Sequence, residues 1–155
     1  MTTVQLANRD ARLTYLALQY HLARPGSELD AERGLGETAR ALEPQLERAV
    51  ATIELTDGQR QRLVSAIAGA MNELKSSPLL AGGGRTMVPA FEETLHRLFP
   101  EAAEDADERT QLAGHLLVLR RRLEQIEVAP AEAATKVKMT TNGRRWWRFW
   151  HRTGT

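Results

Sequence analysis

The sequence predicts an all-α protein, an up-and-down bundle of four or five helices over residues 3–127, followed by a linker at 128–143 and a basic aromatic tail at 144–155. Three observations predict it. Ala (22) and Leu (21) supply 43 of the 155 residues, and both favour helix. Apolar residues recur at three- and four-residue intervals along most of the chain. Gly and Pro collect in a few clusters between those stretches, where helices stop.

The first helix is expected from Asn8 to Ala23, with Leu13, Leu16, Ala17, Tyr20 and Ala23 on one face, ending at Arg24-Pro25-Gly26. Ser27 is placed to cap a short acidic turn through Glu28 and Asp30. Leu35, Ala39, Leu42, Leu46, Ala49 or Val50, and Ile53 then read as one apolar stripe, with Pro44 either kinking a single helix or separating two. Thr56-Asp57-Gly58-Gln59 has the form of a capping box, and the helix it opens buries Leu63, Ile67, Ala70 or Met71, and Leu74 before Ser76-Ser77-Pro78 ends it. Pro89 suits a first helical position and starts a short helix marked by Phe91, Leu95 and Leu98. Glu104, Asp105, Asp107 and Glu108 place negative charge at the start of a last helix, whose Leu112, Leu116, Leu119, Leu123 and Ile126 follow heptad spacing. No strand-like alternation of any length is read.

The size fits one compact unit with its own core, which excludes a two-domain enzyme. The absence of Cys excludes disulfides and thiolate metal sites. At 42% hydrophobic and 26% charged, the composition is that of an ordinary folded domain. The first ten residues have no basic start followed by an apolar run, so no secretory signal is expected. The longest charge-free runs, such as Leu63 to Asn72, reach about half the roughly 20 apolar residues of a membrane span. The expected location is the cytoplasm, with a peripheral position at the inner membrane face if the tail meets lipid.

The net charge of +1 conceals a separation. Residues 1–132 hold all 20 acidic residues and 15 basic ones, whereas residues 133–155 carry six cations and no acid. Trp146, Trp147, Phe149 and Trp150 are half of the eight aromatics and include every Trp. Projected on a helix, Arg144, Arg145, Arg148 and Arg152 fall within about 100° of arc, and the four aromatics occupy the other side. As a strand, the same residues mix Arg and Trp on one face.

Such a segment suits an anionic membrane, where tryptophans settle at headgroup level and guanidinium groups meet phosphates. Each basic residue near such a surface contributes about 1 kcal/mol. In composition, residues 144–152 resemble short Arg/Trp-rich antimicrobial peptides, and the resemblance implies affinity for anionic bilayers. Three other readings use the same residues. The tail would dock in a groove of a partner protein, hold single-stranded nucleic acid by stacking and phosphate contact, or fold back over the acidic body as a lid. Nucleic acid is the less favoured partner, since a body with a charge of −5 repels the same polymer. The resulting expectation is a non-enzymatic adaptor or binding protein without a cofactor, with a homodimer through any leftover apolar stripe. A nucleic-acid-associated regulator and a small helical metal-binding protein are the alternatives.

The metal alternative rests on Glu93-Thr94-Leu95-His96, whose spacing puts a carboxylate and an imidazole on one helix face. One copy is half a site, and Glu37, Glu43, Glu47 and Glu73 are equal candidates for the missing carboxylate. Gly82-Gly83-Gly84-Arg85-Thr86 would surround a phosphate with backbone N–H groups, but lacks the Gly-Lys-Ser/Thr ending of a nucleotide loop, and a connection between helices is the simpler reading. Arg120-Arg121-Arg122 reads as a solvated face paired locally with Glu124 and Glu127, or as part of a basic surface with the tail. His21 and His115 lie at helical spacing among apolar residues and read as core or boundary histidines.

Overall fold

A computed structural model describes residues 1–76 and 87–126. The molecule is mostly helical, with seven α-helices and a small sheet among the described residues. In chain order these are β1 (Thr2–Ala7), α1 (Asn8–Leu22), α2 (Glu28–Asp30), a π-helical turn (Ala31–Leu35), α3 (Gly36–Leu42), a 3-10 turn (Glu43–Gln45), β2 (Val50–Leu55), α4 (Asp57–Ser76), α5 (Pro89–Leu98), α6 (Pro100–Glu104) and α7 (Ala106–Gln125).

The sheet corrects the all-α expectation and the stripe drawn from Leu35 to Ile53. β1 and β2 pair antiparallel, with Val4 opposite Ile53 and Gln5 opposite Thr52. Val50, one of the two residues offered for that position of the helical stripe, is 52% exposed, while its neighbour Ala51 is fully buried. Burial in β2 alternates strictly, with Ala51, Ile53 and Leu55 inward. Pro44 lies in the first turn of the 3-10 segment, where its missing N–H costs nothing, and the chain leaves helix there. The β-branched Thr2, Thr3 and Val4 and Val50, Thr52 and Ile53 then favour a pleated pair. A two-stranded ladder is marginal alone, so its apolar face rests on the helices. Val4, Leu6, Ala51, Ile53 and Leu55 belong to the same core as the helical side chains.

Most helix boundaries match the expectation. Gly26, at φ +86°, turns the chain after α1. Ser27, however, donates its hydroxyl back to the Leu22 carbonyl at 2.7 Å instead of capping the acidic turn. The capping box forms in both directions: the Thr56 N–H donates to Gln59 Oε1 at 2.8 Å, and the Gln59 N–H to Thr56 Oγ1 at 3.2 Å. Pro89 and Pro100 open α5 and α6. Asp105 caps α7 by accepting from the N–H groups of Asp107 and Glu108 at 2.7 and 3.0 Å.

Helix α4 packs against both α1 and α7. Leu63, Ile67, Ala70, Met71 and Leu74 of α4 are buried with Leu112, Leu116, Leu119 and Leu123 of α7. On the α1 side the approach depends on Gly69, because a Cβ there would come within 2.5 Å of the Tyr20 ring. Tyr20 also meets Phe91 of α5 edge to face, at 5.6 Å between ring centres. Arg60 in the first turn of α4 donates to the Leu123 carbonyl at 2.9 Å, fastening the end of α7. The boundary at 127, the linker at 128–143 and the segment Gly82 to Thr86 lie outside the described residues.

Candidate functional site

The tail residues Arg144, Arg145, Trp146, Trp147, Arg148, Phe149, Trp150 and Arg152 lie outside the described residues. The other candidates fall on the body, where three places gather chemistry-bearing side chains.

The first is the α5 face carrying Glu93 and His96. Both are exposed, one turn apart. The four carboxylates considered as partners are engaged elsewhere or face solvent. Glu43 lies 3.6 Å from Arg97, both oxygens of Glu47 accept from Arg12 at 3.0 Å, and the buried Glu73 accepts from the Val88 N–H at 3.4 Å. Glu37 is exposed on α3. Among the described residues, no group of three or more His, Cys, Asp or Glu is placed to hold a metal ion.

The second is a shallow cleft of about 290 Å³ bordered by Arg12, Glu43, Leu46, Glu47, Arg97 and Leu98. Helix α1 supplies Arg12, the turn after α3 supplies both carboxylates, and the last turn of α5 supplies Arg97. The Arg97 guanidinium also lies 5.5 Å from the centre of the buried Tyr15 ring. Burial raises the Tyr15 phenol above its ordinary 10.0, and the Glu43 carboxylate adds to the rise while Arg97 opposes it. The arrangement is an ionic clasp joining three segments, with each cation already matched by a carboxylate.

The third place was not legible as a site in the sequence. His21 Nε2 lies 2.8 Å from Asp30 Oδ2, and Arg62 Nε lies 3.2 Å from Asp30 Oδ1. One carboxylate thus bridges α1 and α4 across the Gly26 turn. The available signal was that turn itself, which brings a residue nine positions on back to the helix end. An Asp–His pair can orient an imidazole for proton transfer, but the nearby Ser27 hydroxyl is committed to Leu22. The network therefore reads as a structural tie.

The remaining histidine, His115, has a buried Nδ1 with no hydrogen-bond partner among the described residues. Of the arginine triplet, Arg120 pairs with Glu124 at 2.8 Å as the spacing predicts, Arg122 pairs with Asp10 on α1, and Arg121 is exposed. No helix among the described residues is long and apolar enough to cross a membrane. Comparison of the chain with protein-family models, curated proteins and solved structures finds no match.

Proposed function

We propose that this chain is a non-enzymatic adaptor or binding protein whose helical body is recruited to an anionic membrane surface by its Arg/Trp-rich segment, residues 144–152. The observation that carries the proposal is the separation of charge and aromatics along the sequence. Every Trp and six cations lie beyond residue 132, and every acid lies at or before it. The body supports the division of labour. Its described residues carry 14 Lys and Arg against 18 Asp and Glu, and its core is closed by aliphatic residues with Phe91, Tyr15 and Tyr20. Tryptophans inserted at headgroup depth and guanidinium groups on phosphates would hold such an acidic body near lipid without the body touching it.

The test is co-sedimentation of the full chain with anionic and with neutral liposomes, with Trp emission followed in parallel. All three tryptophans report on the segment itself. Binding to anionic vesicles only, with a blue shift that is lost in a Trp147→Ser/Trp150→Ser variant, is the expected result. An emission already blue-shifted without lipid, and no sedimentation, would place the segment against protein and end the membrane reading. Retention on single-stranded nucleic acid with a steep salt dependence would favour the regulator instead.

A further inference from the structure

The two outer edges of the sheet are treated differently. On the β2 side, the Gln45 side chain pairs with the backbone of Thr52 as a neighbouring strand would. The Thr52 N–H donates to Gln45 Oε1 at 3.0 Å, and Gln45 Nε2 donates to the Thr52 carbonyl at 3.1 Å. Residues opposite each other in an antiparallel pair turn their backbone groups the same way, both toward the partner or both away. Thr52 turns outward, so Gln5 opposite it does too, and so does Thr3 two residues before. The outward N–H and C=O groups of Thr3 and Gln5 have no partner among the described residues. An edge left open in this way is a template for a further strand.

Alongside that edge runs a groove of about 290 Å³, with Thr3 and Gln5 on one side and Arg122, Leu123 and Ile126 of the α7 end on the other. Ile126, just past the end of α7, lines this groove, and 29 residues of the chain follow it. Among them, Thr135-Lys136-Val137-Lys138-Met139-Thr140-Thr141 alternates apolar and cationic residues around β-branched ones, a pattern suited to a half-buried strand.

We infer that residues 135–141 of this chain occupy the groove and add a third strand to the free edge of β1. Val137 and Met139 then face Leu123 and Ile126, in line with the inward Val4 and Leu6, and Lys136 and Lys138 lie on the outer face with Gln5 and, one strand further, Glu54. Lysines on the new outermost strand would also discourage further pairing. Residues 127–134 span up to about 26 Å when extended, enough to reach either end of a six-residue strand of roughly 20 Å. A tether this short gives an effective concentration in the mM range, which favours the chain's own segment over a second copy. The inference reassigns part of the compositional linker and stands whether or not residues 144–152 bind lipid.

Residue-resolved amide hydrogen exchange on the full chain tests it. The Thr3 and Gln5 amides should exchange at least tenfold more slowly than in a Val137→Pro/Lys138→Pro variant, which removes an N–H turned toward β1 whichever way the added strand runs, with the α4 amides unchanged as a check on the body. Equal exchange at Thr3 and Gln5 in both chains overturns the inference. So does protection that rises with protein concentration in step with a dimer mass by light scattering, which would assign the edge to a second copy. In the unaltered chain, nuclear Overhauser contacts between residues 3–5 and 136–139 should be present, and their absence also overturns it.

Discussion

The α4–α7 joint and the corner around β2 hold the same molecule together by opposite means. In the joint, two 20-residue helices meet through Leu63, Ile67, Leu74, Leu112, Leu116, Leu119 and Leu123, and the requirement on each position is apolar character at the right spacing. At the corner, Leu42, Leu46, Ile53 and Leu55 are buried as well, but the polar contacts around them are each particular. The Asn8 side chain donates to the carbonyls of Leu46 and Arg48 at 2.7 and 2.9 Å, Gln45 clamps Thr52, and Gly34 turns at φ +101° beneath Gln59. Gln59 closes the α4 capping box and also reaches the Arg33 carbonyl at 3.3 Å. The joint should therefore tolerate changes of apolar shape, while the corner should tolerate few changes of identity.

The sharpest contrast comes from paired substitutions. Leu116 is fully buried, so Leu116→Ala should cost about 2–5 kcal/mol, whereas Leu116→Met should cost less than about 1.5 kcal/mol. Urea unfolding followed by circular dichroism checks both, and equal losses would break the view that the joint asks only for apolar volume. At the corner, a single methyl group should suffice to do harm. A Cβ on Gly34 would sit 2.0 Å from Gln59 Nε2 at a backbone angle that side chains rarely adopt, so Gly34→Ala should lose on the order of 1–3 kcal/mol. Gln59 can swing away, but only by leaving the Arg33 carbonyl. Should Gly34→Ala unfold at the same urea concentration as the parent chain, the corner would be less particular than its geometry implies.

The same contrast explains what could be read from the sequence. Helices α1, α4, α5 and α7 were legible because long periodic stripes and their stop signals, Pro25-Gly26, Thr56 to Gln59, Pro89 and the acids before α7, agree with one another. The sheet was not. Leu46, Val50 and Ile53 follow helical spacing by coincidence, and over six residues a period of two is easily hidden within a period near 3.6. Its partner strand lies 49 positions away in the register of Val4 and Ile53, ahead of three intervening α-helices. Contacts between residues distant in sequence escaped for the same reason: nothing local to Asp30 announces Arg62, and nothing local to Tyr15 announces Glu43 and Arg97. Charge and aromatic separation, by contrast, is a property of composition along the chain, and it remains the strongest functional signal.

The smallest effect concerns the clasp that ties the corner to α5. Tyr15 holds its proton to higher pH in the folded chain than in the unfolded one, chiefly through burial and then through Glu43, so its contribution to stability is whole below 10.0 and is lost as pH rises through its folded value. Arg97 opposes the shift. A Tyr15→Phe chain lacks the ionisable group and should lose less stability than the parent between pH 9 and 11, as measured by unfolding midpoints across that range. Removing the hydroxyl also frees Glu43 to pair with Arg97 alone, so at neutral pH the variant should lie within about 1.5 kcal/mol of the parent. Parallel alkaline losses in the two chains would mean that Tyr15 is not the group being titrated. The clasp would then rest on the Arg12–Glu47 and Arg97–Glu43 pairs, whose exposed geometry is worth at most about 1 kcal/mol each.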